Sequence, residues 1–197
     1  PAPYRIATRE NSPGYPYGLA RFSNQDYEFV STKPAEQFSA GIFTDIYPLD
    51  ENGSSYPVAR QLYRRCKLVN MAYYAYAATW PQNFLTKSAH QIYKKAVDRI
   101  WGEGFAQAVD EKIQRIIFAK TKEGRQKVGV PAWPDGGVHL LEKKHFGEGK
   151  YAPFAGASFR VPADPAPILR EYYGDYEKLP PAADRYPHHD YKIYPKA

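Results

Sequence analysis

The sequence predicts an α+β fold, with short strands near the N-terminus and a helical hairpin in the middle of the chain. Residues 41–50 form an apolar run that contains one carboxylate and ends in a turn, as a strand does. Between residues 57 and 117, apolar side chains recur at spacings of three and four, which is the period of a helix. The C-terminal third breaks into short apolar pieces between Gly and Pro residues. We therefore expect a partial β-sheet, a helical hairpin and an irregular C-terminal region with two short strands.

The composition is that of one globular domain spanning residues 1–197, because a chain that is 43% hydrophobic can bury a core. The single cysteine, Cys66, excludes an internal disulfide framework and a multi-thiolate zinc site. The net charge of +6 suits an anionic ligand or a surface of acidic lipids. The least polar run, residues 68–80, is interrupted by Asn70 and is shorter than the roughly 20 residues of a membrane span, so we expect a soluble chain. Starting at Pro1 without Met is typical of a fragment or a processed product.

The first candidate strands lie in residues 19–22 and 27–30, and the polar break at residues 23–26 between them predicts a hairpin. Arg21 lies in the first of these strands and could contact a phosphate group. The alternative is an arginine exposed to solvent at a strand end, which is the common situation for a charged residue.

The candidate strand at residues 41–50 carries the most informative carboxylate. Because side chains alternate along a strand, Asp45 shares one face with two aromatic residues, Phe43 and Tyr47. An ionised carboxylate on a mostly buried strand is costly unless it meets a cation, a metal or hydrogen-bond donors, so Asp45 is a candidate functional residue. Asp50 follows in the turn, where an Asp side chain either caps its own turn or contacts a substrate.

The helical pattern comprises three helices. The first runs from Pro57 to about Ala78, and its basic residues are expected to form a solvent-exposed face. The second covers about 88–101, and we expect its apolar residues Ile92, Ala96, Val97 and Ile100 to face inward. The third begins after Gly102 and Gly104, which end one helix and link it to the next. The pattern of this hairpin indicates packing and requires no chemistry.

The C-terminal part contains a short predicted helix from Asp164-Pro165 to Tyr172-Tyr173, ended by Gly174, and a Pro-rich tail with His188-His189. The four histidines in this part lack zinc-ligand spacing. The chain also contains no Gly-x-Ser-x-Gly elbow, no Gly-rich phosphate loop and no dinucleotide-binding fingerprint.

Several segments together resemble one enzyme family. The run Gly41-Ile42-Phe43-Thr44-Asp45-Ile46-Tyr47-Pro48-Leu49-Asp50 is similar to the central strand of the LicD/fukutin-like phosphotransferases, which attach phosphocholine or other phospho-alcohols to glycans. Residues 17–24, Tyr-Gly-Leu-Ala-Arg-Phe-Ser-Asn, resemble the segment just upstream in that family. The C-terminal signature is matched by Phe159-Arg160-Val161-Pro162, Leu169, Tyr173-Gly174-Asp175-Tyr176, Leu179-Pro180-Pro181, Arg185 and His188.

The resemblance implies a nucleotidyltransferase-like fold in which three acidic residues hold Mg²⁺ or Mn²⁺. Asp45 matches the third acid, which makes it the implied catalytic and metal-binding residue. The family's Gly-Thr-Leu-Leu-Gly turn and Trp-Asp-Asp-Asp-Ile-Asp strand, which carry the first two acids, are not in these residues. We therefore expect an incomplete metal site in this chain, which is either the C-terminal part of a LicD-like domain or a degenerate member, and no activity of the chain alone.

Two functions follow from these expectations. The first is transfer of a phosphocholine-like group from a nucleotide-activated donor such as CDP-choline to a cell-envelope glycan. Arg21, Tyr47, Asp50, Arg185 and His188 would then bind the substrate. The second is a non-catalytic glycan- or nucleotide-binding remnant. Either protein would be cytoplasmic, with no nucleic-acid partner and no transmembrane segment, and with peripheral contact at the inner membrane surface.

Overall fold

The computed structural model describes residues 3–31, 41–77, 84–120, 127–133, 137–185 and 191–196. Within these ranges the fold mixes helices with small sheets, which is compatible with the predicted α+β class. The strands are β1 Tyr4–Ala7, β2 Ala20–Asn24, β3 Tyr27–Ser31, β4 Ile42–Ile46, β5 Asp50–Glu51, β6 Lys127–Gly129, β7 Leu141–Glu142, β8 Lys150–Phe154, β9 Ala157–Val161 and β10 Tyr191–Pro195. The helices are α1 Tyr56–Ala77, α2 Phe84–Trp101, α3 Phe105–Lys120 and α4 Pro165–Tyr173.

The sheet that carries the candidate site has the antiparallel order β1-β2-β4. The predicted pairing of β2 with β3 is wrong, because β1 and β4 occupy the two edges of β2 and β3 pairs with β10 instead. The strand around Asp45 is also less covered than predicted. Phe43 and Asp45 are half-buried, whereas Ile42 and Ile46 on the opposite face are 42% and 47% exposed. Only one face of β4 therefore belongs to the interior.

The helices form a layer in which α1 packs against both α2 and α3. A 3-10 turn at Gly102–Gly104 joins α2 to α3, which confirms the two predicted helices and the glycine link between them. Helix α3 packs mainly on α1 and little on α2, so the two helices do not form the predicted hairpin. The core of the layer contains Cys66 and Tyr73 of α1, Val97 of α2, and Phe105, Val109, Ile113 and Ile117 of α3. The basic residues of α1, Arg60, Arg64, Arg65 and Lys67, are exposed, as predicted.

The prediction for the inward face of α2 is largely wrong. Val97 is buried, but Ile92 and Ile100 are 71% and 66% exposed, and Ala96 is exposed as well. The reason is geometric, since α2 packs on α1 through one narrow face. Tyr93 on that face donates a hydrogen bond to the Ala72 carbonyl oxygen. The side of α2 that carries Ile92 and Ile100 has no covering element among the described residues.

The C-terminal region is more regular than predicted. Strands β5, β6 and β7 form one small sheet and β8 and β9 a hairpin, so residues 127–161 hold four strands where two were expected. Helix α4 matches its predicted bounds and ends at Gly174, whose φ of 66° favours glycine. The Tyr56 hydroxyl donates to the Glu171 carboxylate, which ties α4 to the start of α1. No helix in the described ranges is long and apolar enough to cross a membrane.

Candidate functional site

Arg21 and Asp45 form a bidentate ion pair across the first sheet. They are directly opposite each other in the register of β2 and β4, so both side chains emerge on the same face. Arg21 Nε lies 2.7 Å from Asp45 Oδ1, and Nη2 lies 3.2 Å from Oδ2. The two side chains are 9% and 23% exposed. Arg21 is therefore not the solvent-exposed arginine considered from the sequence, and the cation that Asp45 required is its cross-strand neighbour.

Aromatic rings surround this ion pair. The Arg21 Cζ atom lies 3.6 Å from the ring centroid of Phe43 and 4.8 Å from that of Tyr17. Tyr17 meets Trp133 edge to face at 5.6 Å, and Phe29 meets Phe43 in the same way at 5.4 Å. A cavity of about 160 Å³ opens beside the pair, and we call it the ion-pair cavity. Its lining consists of Tyr17, Leu19, Arg21, Phe29, Phe43, Asp45 and Trp133.

A second cavity, of about 380 Å³, adjoins the first, because Tyr17 and Leu19 line both. Asp50 is part of its wall and lies at the start of β5. Asp50 Oδ2 is enclosed and meets no hydrogen-bond donor in the described part of the chain, so it does not cap the turn. Burial, followed by the charge of Glu51, raises the pKa of the Asp50 carboxyl group. We call this second cavity the Asp50 cavity.

Arg9 and Asp110 form a further ion pair in the wall of the Asp50 cavity, and neither residue was predicted from the sequence to lie at a site. Arg9 Nη1 lies 2.9 Å from Asp110 Oδ1, and Arg9 Nη2 donates to Asn70 Oδ1. Burial lowers the pKa of Arg9 despite the opposing effect of Asp110. Asn70 supplied the sequence signal that was missed, since a polar residue on the apolar face of a helix needs a buried partner.

The other predicted site residues are not gathered around Asp45. Tyr47 packs on the small cluster of Ala7, Tyr15 and Leu19, beside the cavities. Arg185 is exposed, and its Nε donates to the Pro180 carbonyl oxygen at 2.7 Å. It lines neither cavity. His188 lies outside the described residues.

The described residues do not fit a magnesium site. They contain no group of three or more His, Cys, Asp or Glu side chains that could hold a metal ion. Both oxygens of Asp45 accept hydrogen bonds from Arg21. A metal at Asp45 would have to displace that guanidinium group, and magnesium requires several oxygen ligands in octahedral geometry.

Comparison with known proteins gives one partial relationship. The chain is 41% identical over 54 residues to the lipopolysaccharide cholinephosphotransferase LicD of Haemophilus influenzae (strain ATCC 51907 / DSM 11121 / KW20 / Rd). The predicted resemblance to LicD is thereby confirmed over one segment. The match covers 27% of this chain and 20% of LicD. No family model matches the chain, and no solved structure matches it significantly.

Proposed function

We propose that this chain is part of a LicD-like transferase that moves a phosphocholine-like group from a nucleotide-activated donor to a cell-envelope glycan. The observation that carries the proposal is the Arg21–Asp45 pair in an aromatic-lined cavity. The similarity to LicD over 54 residues supports the same reaction class. The nucleotidyltransferase-like fold implied by the family resemblance is part of this proposal.

The chemistry of the ion-pair cavity is complementary to a phosphocholine group, which is a zwitterion. The phosphate group would bind to Arg21, because a guanidinium group binds phosphate through paired hydrogen bonds. The quaternary ammonium group would pair with Asp45 and contact the faces of Tyr17 and Trp133, since cations bind over aromatic rings. The two charges of the ligand thus replace the two partners that Arg21 and Asp45 now supply to each other. The Arg21–Asp45 ion pair would be replaced by two ion pairs, Arg21 with phosphate and Asp45 with the ammonium group, so no charge in the cavity would be left unpaired.

The adjoining Asp50 cavity gives the rest of a donor or an acceptor a place to bind. Transfer requires an acceptor hydroxyl to attack the phosphorus atom in line while negative charge on the phosphoryl oxygens is neutralised. Arg21 is the residue of this chain that we assign to that neutralisation. The role of Asp45 as a metal ligand remains a prediction for the protein with all three acids of the family pattern. Arg185 and His188 remain predicted substrate contacts.

Calorimetric titration with phosphocholine and CDP-choline tests the binding step on the 197-residue chain. We expect Phe43→Leu and Arg21→Gln each to weaken binding at least about tenfold, because the first removes the ring on which the Arg21 guanidinium group lies and the second removes the phosphate partner. Phe22→Leu is the matched control, since Phe22 lies opposite Thr44 in the register, stacks on Tyr4 and does not line the ion-pair cavity. Equal affinities of the Phe43 and Phe22 variants would contradict the assignment of this cavity.

Transfer of labelled phosphocholine from CDP-choline to lipopolysaccharide tests the reaction. The assay uses the gene product that contains this chain together with any residues encoded before Pro1. We expect Asp45→Asn to reduce transfer at least about a hundredfold. Retained turnover in this variant would rule out Asp45 as a site residue.

The second candidate function is a binding protein without transferase activity. The observation that favours it is the lack, among the described residues, of a cluster of acids able to hold a metal. This candidate predicts that CDP-choline or a glycan binds with an affinity unchanged by magnesium and is never turned over. Reading the coding sequence upstream of Pro1 for the paired acids separates the two candidates before any assay.

A further inference from the structure

The helical layer presents apolar side chains to solvent that the fold leaves uncovered. On α1, Leu68 is 74% exposed and Met71 is 53% exposed. On α2, Ile92 and Ile100 are 71% and 66% exposed, and on α3 Phe118 is 66% exposed. Isolated exposed apolar residues are ordinary. These five lie on three helices that pack together, and Leu68 also lines a groove between two of them.

A groove of about 650 Å³ runs between α1 and α3 within this layer. Its apolar wall includes Leu68, Ala72, Phe105 and Trp101, the last of which is 46% exposed. Charged side chains of α3, Glu111, Lys112 and Arg115, stand along its rim.

The helical layer also carries the positive charge of the chain. Helices α1 to α3 with their linking turn contain eleven Lys and Arg residues against four Asp and Glu residues, a net charge of +7, while the whole chain has +6. Three of the four acids already have partners within the protein. Asp98 accepts from the Tyr76 hydroxyl, and Asp110 and Glu111 pair with arginines. The layer therefore keeps an excess of positive charge, although Asp98 meets only a neutral hydroxyl and Glu111 pairs with an arginine of the same layer.

The exposed cations are interleaved with the exposed apolar residues. On α1, Arg64 and Lys67 each precede an exposed apolar residue, Leu68 and Met71, by one helical turn. On α2 the apolar stripe Ile92, Ala96 and Ile100 runs beside Lys95 and Arg99.

We propose that the outer surface of α1, α2 and α3 docks on a bilayer that contains anionic phospholipids. Helices that lie at a membrane interface combine bulky apolar residues with Lys and Arg in this way. Lysine stems extend along an apolar surface while the ammonium groups reach lipid headgroups. A protein partner fits less well, because lysine is depleted in protein interfaces. The inference is independent of the proposed transferase activity.

Docking in this orientation would place the candidate site close to the bilayer. Helix α3 contributes Ala108, Lys112 and Arg115 to the groove and Asp110, Ile113 and Gln114 to the Asp50 cavity. One helix, about 10–12 Å across with its side chains, therefore separates the lipid-facing groove from that cavity.

Co-sedimentation of the 197-residue protein with phosphatidylcholine vesicles, with and without phosphatidylglycerol, tests this proposal. We expect binding that requires phosphatidylglycerol and falls sharply in ~0.5 M salt. The double variant Leu68→Gln/Ile92→Gln should weaken binding about tenfold or more, because it removes two side chains that enter the interface. Arg64→Gln/Lys95→Gln should weaken it by a similar factor, at about fivefold for each cation.

Matched controls are Leu179→Gln and Lys150→Gln, which change exposed residues outside the helical layer and should leave binding unchanged. All substituted positions are exposed, so circular dichroism should show unchanged folding. Failure of the wild-type protein to bind phosphatidylglycerol vesicles would overturn the proposal, and so would wild-type affinity of both helical-layer variants. A wild-type dimer abolished by the Leu68/Ile92 variant, without vesicle binding, would assign the surface to a second copy instead.

Discussion

Arg9 joins the N-terminal segment to α3 through Asp110, with Nη1 2.9 Å from Oδ1. The Arg9 side chain is 2% exposed, so its charge depends on this carboxylate and on the oxygens of Asn70 and Pro16. The same guanidinium group lies 4.6 Å above the Tyr73 ring. A single side chain thus connects the first sheet region to two helices of the core.

Replacing Arg9 should therefore lower the stability of the folded protein. We expect Arg9→Met to lower the free energy of unfolding by about 3 kcal/mol, because the buried Asn70 oxygen loses its donor and Asp110 loses its cation. Urea unfolding followed by circular dichroism measures the change. Arg115→Ala is the control, since Arg115 is 75% exposed and pairs with Glu111 one turn earlier. This substitution should lower the free energy of unfolding by less than about 0.5 kcal/mol. Equal losses in the two variants would contradict the role of Arg9.

Gly18 is predicted to tolerate no side chain. A Cβ atom at Gly18 would lie 2.9 Å from Asn70 Oδ1 and 3.3 Å from Arg9 Nη2, so alanine would disturb the same network. We expect Gly18→Ala to destabilise the protein by about 1–3 kcal/mol in thermal or urea unfolding. Gly104→Ala, where a Cβ meets nothing within 4 Å, should be neutral or slightly stabilising. The prediction fails if Gly18→Ala unfolds at the wild-type midpoint.

Asp50 should make stability depend on pH. Because burial raises its folded pKa above the model-peptide value of 3.8, the protonated form stabilises the fold. That contribution is fully present below pH 3.8 and is lost as pH rises through the higher folded pKa. Asp50→Asn removes the buried charge, so we expect it to melt at a higher temperature than wild type at pH 7. The difference should shrink towards pH 4, and a constant difference between pH 4 and pH 7 would exclude this explanation.

Exchanging the partners of the cross-strand pair separates its structural role from its chemical role. We expect Arg21→Gln and Asp45→Asn each to destabilise the protein by about 1.5–3 kcal/mol, since each leaves a poorly solvated charge without its partner. The double exchange Arg21→Asp/Asp45→Arg keeps an ion pair at the same register and should regain much of that stability. It should not regain phosphocholine binding, because the charges are then transposed. If the double variant binds phosphocholine again, binding does not depend on which of the two strands carries the positive charge.

The local elements were predictable because each depends on nearby residues. The spacing of Leu62, Cys66 and Tyr73 predicts α1 and its buried face, and Gly174 predicts the end of α4. The alternation of side chains predicts that Phe43 and Asp45 share a face. Several short segments, the one around Asp45 among them, carried the resemblance to LicD, and a 54-residue match confirms that resemblance over part of the chain.

Apart from the β8–β9 hairpin, which is local, the main failed predictions concern contacts between distant segments. The break at residues 23–26 is compatible with a hairpin of β2 and β3, but β2 pairs with β1 on one edge and with β4 on the other. Ile92 and Ile100 have the spacing of a buried face, yet α1 covers only the neighbouring side of α2. Arg9 could not be found from its neighbours, since Asp110 lies 101 residues further along the chain.

By itself the sequence determined the helices, the strand that contains Asp45, its need for a partner and the excess of positive charge. These follow from periodicity, burial and composition, which are properties of short segments. Only the tertiary structure decided that the partner of Asp45 is Arg21, that Asp50 lines a separate cavity, and that the basic helical layer keeps apolar residues exposed. The physical reason is that strand pairing and helix packing compete for the same edges and faces, and that competition is settled by the whole chain.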